Sequence, residues 1–331
     1  MKIFSFPLLV IDELMKQIEP VELIALSLCS KNAHEFVKTF AKTNEDLQIE
    51  RYYHGDYIIT YPEHSLMVVT SNQSRFCSLS DLKTIHGLNY CFNQTGPFYT
   101  VWEDVDQGCR ESANYICDLL KIPVTTFIIY QEEDLWLLDF AQQRQWQKLK
   151  NILVFALGSK MSAEGYSRIM SYNATERLEV TPMPPQDYRF NGKLSTAKTL
   201  IIQWGHWITR EHLLGLECVN ANLRCTRLRN ADINALLLSW LNGGLPSLKY
   251  LEIHGDLYNN RIYEGVRDRL ETVRGEIRYK CEEAFKFKTN TVEFNTNAFH
   301  IRREDNVVVT VKIEGSLFTM VVWPDINGNR V

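Results

Sequence analysis

The sequence predicts an α+β protein: three short helices at the N-terminus, then strands and helices alternating in a solenoid of degenerate repeats, then a β meander. Three observations predict it. A proline-punctuated run of amphipathic segments opens the chain. One template, apolar-x-x-apolar-x-apolar, then recurs at nearly even steps between Val124 and Ile253. Three strand-like runs with short turns close it before Pro324.

Composition bounds the partners first. The chain has 331 residues, 45% of them hydrophobic, enough for one large domain or two smaller ones. Its formal charge is -4, with 36 basic against 40 acidic side chains and no long run of either sign. That balance argues against nucleic acid or an anionic membrane as the partner. The eight cysteines never fall two residues apart, so neither a zinc knuckle nor a dithiol redox motif is present. They read as small buried apolar residues of a reducing compartment. The apolar run after Lys2 is cut short by Asp12 and Glu13, and no stretch of 18 apolar residues occurs. A cytoplasmic or nuclear location is expected.

In the first segment Leu8, Ile11, Met15 and Ile18 recur at helical spacing beside Leu14, with Asp12, Glu13, Lys16 and Gln17 opposite. Pro7 suits the start of that helix, and Pro20 breaks it and opens a second one through Leu23, Ile24, Leu26 and Leu28. Ser30 can cap a third helix carrying Ala33, Phe36, Val37 and Phe40. Three short helices cannot hide so many large apolar side chains among themselves, at about 1.5–3 kcal/mol each when buried. They must pack on the rest of the chain or on a partner. A DNA-reading helix-turn-helix is disfavoured, because residues 1–40 hold four Lys against five acidic residues and no Arg-rich helix.

These residues resemble an F-box. Phe6-Pro7-Leu8, Ile18, Pro20-Val21-Glu22-Leu23 and Leu26-Ser27-Leu28-Cys29-Ser30-Lys31 follow the family pattern in order and spacing. Phe6 stands where Leu is commoner, and the usual Trp of the last helix is replaced near Ala33 and His34; Phe-Pro openings with "LSLCSK" are typical of the nematode branch. The resemblance implies docking to a Skp-type adaptor and, through it, to the cullin of an SCF ubiquitin ligase. Its expected docking face comprises Pro7, Leu8, Leu9, Leu14, Ile18, Pro20, Val21, Leu23 and Leu26, as in other helix-in-groove contacts.

Beyond this F-box at 1–45, residues 46–100 read as a β-rich connecting region, with a hairpin over "DYIITY" and "SLMVVTS". Then "ESANYICDLLKI" reads as a helix and "VTTFIIY" as a strand. The template fits Val124/Phe127/Ile129, Leu149/Ile152/Val154, Thr175/Leu178/Val180, Ala197/Leu200/Ile202, Leu223/Thr226/Leu228 and Leu248/Leu251/Ile253. Its middle positions step by 25, 26, 22, 26 and 25 residues, and Arg274/Ile277/Tyr279 suggests a weaker seventh copy. Helix-like stretches separate the strands, the last being "NNRIYEGVRDRLETV". This is the pattern of a degenerate leucine-rich-repeat-like αβ solenoid; a doubly wound sheet is the alternative.

Side chains alternate along a strand, so the solenoid reading predicts a concave face, apolar at first and polar and exposed from Arg177 onward. The target-binding candidates on it are Arg177, Glu179, Gln203, Arg227, Arg229, Tyr250, Glu252 and His254. "FHIRRED", "NVVVTVKIEG" and "SLFTMVVWP" form the closing meander at 298–324. Residues 101–324 are also similar to the type 2 F-box-associated domain of nematode F-box proteins, carried by "VWEDVDQGCRESANYICDLLKIPV", "LIIQWGHWITREHLLGLECVN" and "LSWLNGGLPSLKYLEI". That resemblance implies target binding.

No catalytic, cofactor or metal site is expected. His206 and His212 lack a third ligand, and no G-x-S-x-G, P-loop or dinucleotide fingerprint occurs. Gly243-Gly244 reads as a helix C-cap, "DINGN" at 325–329 as a turn, and Cys109 and Cys117 as a conceivable thiol pair. The chain thus reads as a non-catalytic substrate receptor binding an unknown target protein. The runner-up is an F-box scaffold or sequestering protein acting outside the ligase.

Overall fold

A computed structural model describes residues 6–41, 46–51, 55–61, 64–70, 83–85, 88–92, 98–144, 149–155, 160–257, 260–280 and 291–324. The chain divides into two compact units, Met1–Leu149 and Lys150–Val331, rather than near residue 100. The reason is that the first unit's sheet needs a strand from beyond that point, Val124–Ile129, to pair with Leu47–Arg51.

The first unit opens with helices α1 (Leu8–Gln17), α2 (Pro20–Ser27) and α3 (Lys31–Phe40). Their ends are those the sequence marks. Pro20 holds the first position of α2, and the Glu22 carboxylate accepts the Glu19 N–H. Ser30 caps α3 by accepting the Ala33 N–H at 3.1 Å.

Strands β1 (Leu47–Arg51), β2 (Tyr57–Tyr61), β3 (His64–Thr70), β4 (Lys83–Ile85), β5 (Leu88–Phe92) and β6 (Phe98–Trp102) follow, then α4 (Val105–Leu120) and β7 (Val124–Ile129). They form a mixed sheet in the order β7-β1-β2-β3-β6-β5-β4. The hairpin expected over "DYIITY" and "SLMVVTS" is the antiparallel pair β2–β3. Helix α4 lies on β2, β3 and β6, and α2 and α3 pack against α4. A 3₁₀ turn (Glu132–Leu135) and α5 (Trp136–Arg144) complete the unit.

In the second unit, β8 (Asn151–Val154), β9 (Arg177–Val180), β10 (Thr199–Ile202), β11 (Asn220–Leu223) and β12 (Tyr250–His254) run parallel, each beside its predecessor. Helices α6 (Ala163–Met170), α7 (Arg210–Leu214) and α8 (Asn230–Leu241) lie between them in sequence. One buried row reads Ile152, Leu178, Leu200, Ala221, Leu251 and the next Val154, Val180, Ile202, Leu223, Ile253. These rows are four of the expected repeats and correct a fifth: the copy placed on Leu223/Thr226/Leu228 sits on Cys218/Ala221/Leu223. The strand "NANL" carries small and polar residues, whereas "LRCTRL" five residues on imitates the apolar template, so spacing alone misplaced it.

Strand β12 next pairs antiparallel with β18 (Leu317–Trp323), followed by β17 (Val308–Glu314), β16 (Ala298–Arg302) and β13 (Leu270–Thr272). The last three runs are thus the expected meander. Two expectations fail. "NNRIYEGVRDRLETV" is not one helix but two 3₁₀ turns and β13, divided by Gly265 at φ +78°. The seventh copy is β14 (Ile277–Lys280), which pairs antiparallel with β15 (Thr291–Phe294) in a separate hairpin. Gly243 and Gly244 end α8 as expected: the Gly243 N–H meets Trp240 O and the Gly244 N–H meets Ser239 O, with Gly243 at φ +86°.

The architecture is therefore mixed helices and strands behind an N-terminal helical segment, with a large, mostly parallel run of strands.

Candidate protein-docking site

Pro7 caps the start of α1, and its carbonyl accepts the N–H groups of Val10 and Ile11 at 2.9 and 3.1 Å. Lys16 bridges Asp12 and Glu13 at 3.3 and 2.7 Å on the polar side. The apolar stripe read from the sequence does not act as one face. Ile11 and Met15 turn inward, whereas Leu8 is 68% exposed and Leu9 83%. Phe6, Val10 and Leu14 are exposed with them, and Pro7 is also on the surface. Among the described residues the other exposed large hydrophobic is Leu238. Five large apolar side chains gathered within nine positions form a patch of the kind that marks a protein contact.

The rest of the expected docking face divides. Ile18, Pro20 and Leu26 are half-buried. Leu23 is 1% exposed and belongs to the protein's own core with Ile24 and Leu28, because α2 is covered by α3 and α4. It is removed from the docking face. The side chain of Val21 lies outside the described residues.

Behind the patch, polar contacts fix the helices to the sheet unit. Ser27, fully buried, donates to Ile24 O at 2.6 Å, so the Tyr115 hydroxyl of α4 donates to Ser27 Oγ across another 2.6 Å. His34 Nδ1 stands 3.3 Å from the same hydroxyl. Elsewhere in the first unit, Asp134 is enclosed with Arg51, whose guanidinium Nη1 reaches Asp134 Oδ1 at 2.5 Å. The Tyr57 hydroxyl lies 2.8 Å from Asp106 and 3.0 Å from Asp134, and it accepts from Trp136 Nε1 at 3.2 Å. Burial raises the Asp134 carboxyl above its ordinary value, against the lowering by the Arg51 hydrogen bond. Burial raises the Tyr57 hydroxyl as well. Cys109 is buried and Cys117 half-buried on α4; both are free thiols, so they form no disulfide.

The expected concave face is not an open polar surface. Its central row, Leu153, Glu179, Ile201, Asn222 and Glu252, is at most 9% exposed, and Tyr250 is 2% exposed. Tyr250 stacks on Tyr279 of the β14–β15 hairpin at 5.9 Å, and Tyr279 meets Trp323 edge-on. That aromatic cover comes from sequence far downstream. Three polar side chains of the row pair with residues two positions away: Arg177 donates to Glu179 at 2.6 Å, Arg224 to the Asn222 oxygen at 3.2 Å and the Tyr250 hydroxyl to Glu252 at 2.7 Å, while Asn222 Nδ2 is buried without a partner among the described residues. Glu179, Tyr250 and Glu252 are therefore core groups rather than an exposed binding surface. Arg177 and Gln203 are half-buried, while Arg227, Arg229 and His254 are exposed. Arg227 and Arg229 follow β11 rather than lying on it, and Asn222 and Arg224 hold the positions assigned to them.

The two histidines singled out in the sequence have local partners. His206 Nε2 is 3.1 Å from Pro185 O, and His212 Nδ1 accepts the Thr209 N–H at 3.1 Å. Among the described residues no group of three or more His, Cys, Asp or Glu is placed to hold a metal ion. No described helix is long and apolar enough to cross a membrane. The "DINGN" turn lies outside the described residues.

Fold and site together give an exposed apolar helix start at the head of the first unit. Residues 3–44 match the F-box domain, and residues 190–253, from the loop before β10 to β12, match the F-box associated family. The chain thus carries a segment that matches the F-box and, further on, one that matches the F-box associated family. It is 22% identical over 338 residues to the uncharacterized protein F59B2.9 of Caenorhabditis elegans, covering 94% of this chain and 75% of that one. It is 20% identical over 270 residues to the Skn-1 dependent zygotic transcript 15 protein of the same organism, covering 75% of this chain and 78% of that one. No solved structure matches the chain. F-box domains in general bind Skp-type adaptors, and proteins of this pairing are adaptors rather than enzymes, with a general role as substrate receptors of SCF ubiquitin ligases.

Proposed function

We propose that this protein is the substrate-recognition subunit of an SCF-type ubiquitin ligase and is itself non-catalytic. The F-box docks on a Skp-type adaptor, the adaptor joins it to a cullin, and the second unit, read as a solenoid-like sheet, holds a target protein. The observation that carries the reading is the exposed patch of Phe6, Leu8, Leu9, Val10 and Leu14, on a segment that matches the F-box. Pro7, Ile18, Pro20, Val21 and Leu26 extend it as a helix-in-groove contact. Catalysis then lies in proximity: holding a target beside the charged conjugating enzyme raises the effective concentration of its lysines. A reducing intracellular compartment suits the scattered free thiols.

Reconstitution tests it. The full chain, mixed with a Skp-type adaptor, cullin and RING subunit, is expected to co-elute as one complex and to support ubiquitin transfer to a bound protein. An adaptor complex that excludes cullin would overturn the ligase role, and no adaptor complex would overturn the whole reading.

A further inference from the structure

The second unit carries a cleft of about 760 Å³ beside the N-terminal half of α8, within the roughly 300–1,000 Å³ range of ligand sites. It opens where the parallel strands β11 and β12 end, between the segments that follow them. Ligand sites on parallel sheets recur at the carboxyl ends of the strands. Its floor is the outer surface of α8, including Asn234 and the exposed Leu238.

The charges at its rim stand in an unusual relation. Arg229 and Asp256 are backbone neighbours: they form an isolated parallel bridge, and the Asp256 N–H reaches Leu228 O at 2.9 Å. Both side chains are exposed, yet among the described residues neither makes an ion pair. The nearby Arg210 differs, being held by Asp232 at 2.9 Å. The other Asp232 oxygen accepts the Arg229 N–H at 2.9 Å, so the end of α8 is already capped within the chain. The Asn234 amide nitrogen is engaged by the carbonyls of Ile262 and Glu264, which ties the far wall to α8 and leaves the Asn234 oxygen to accept an N–H. The cleft therefore offers the unpaired Arg229, the carboxylates of Asp256 and Glu264, a polar acceptor and a small apolar floor, with Arg210 and Arg261 also on its lining. Polyanions suit it poorly, because Asp256 and Glu264 line it with the arginines. Purely apolar molecules find too little apolar wall.

We propose that this cleft is the docking site for an extended polypeptide segment carrying an acidic and a basic side chain close together, the acid meeting Arg229 and the base Asp256. It deepens the recruitment role and rests on it for its meaning. The binding residues then lie beside α8, and not on the sheet face first expected.

The full-length protein is panned against a phage-displayed library of random linear peptides, and enriched sequences are synthesised and titrated by fluorescence polarisation. Enriched peptides are expected to carry an acid and a base within a few residues. Arg229→Glu and Asp256→Lys each weaken them about tenfold, the cost of facing like charges. The double variant selects peptides of the reversed charge order. If Arg229→Glu does not fold, Leu238→Glu on the floor serves instead. The proposal is overturned if no peptide is enriched, if these variants bind as the parent does, or if inorganic phosphate alone displaces the peptides. Peptide binding without an adaptor complex sinks the receptor reading and leaves the cleft. An adaptor complex without peptide binding does the reverse.

Discussion

The double substitution Leu8→Asp/Leu9→Asp separates docking from folding. Leu8 and Leu9 are 68% and 83% exposed, so most of their apolar surface is already in water in the isolated protein. Polar replacement should shift stability by no more than about 0.5 kcal/mol, as at ordinary surface positions. Seating those fractions in an adaptor groove is worth about 1–2 kcal/mol per side chain at the transfer energy of a leucine. Losing both should cost about 2–4 kcal/mol, a roughly 30- to 700-fold weaker complex. Leu23→Ala is the matched opposite: at 1% exposed it lies in the core, and the cavity should cost about 2–5 kcal/mol of stability. Adaptor affinity by calorimetry, beside urea midpoints for each variant, reads both quantities. If the double variant binds the adaptor as tightly as the parent, the α1 patch is not the docking face. If it unfolds the protein, the exposed placement of α1 is wrong.

Two further outcomes follow from the buried polar groups. Asp134→Ala strands the Arg51 guanidinium in a site where Asp134 has no exposed surface; it should cost about 3–5 kcal/mol, read as a lower urea midpoint. A variant of parental stability would show that the pair adds nothing. His212 is held neutral by burial, with its pKa below 6.5. The unfolded chain then binds more protons between that lowered pKa and 6.5, so stability falls as pH drops through the window. His300 is lowered likewise and acts with the same sign, so the test is a comparison: His212→Asn should flatten the loss of urea midpoint between pH 7.5 and 5.5. An unchanged slope would refute the assignment to His212.

Much of the fold was legible because local rules set it. Pro7, Pro20 and Ser30 mark the helix ends at the places where α1, α2 and α3 begin. Gly243 and Gly244 announced the end of α8, and short turns between the last three strand-like runs announced the meander. The register of β11 was not legible, because Asn220 and Asn222 are buried in a strand whose neighbours, rather than its own residues, supply the apolar surroundings. Nor was the fate of Leu23, whose side of α2 is decided by α3 and α4 packing over it.

The sequence by itself determined the helical segment that matches the F-box, since that segment is specified by short-range spacing of proline, apolar and capping residues. It also determined that helices separate most of the parallel strands β8 to β12. Which surfaces stay open was decided by tertiary structure alone. Burial depends on segments distant in the chain: the β14–β15 hairpin closes over Tyr250, while no described segment covers Leu8 and Leu9. A strand records which of its residues share a face, and it holds no record of what folds back over that face.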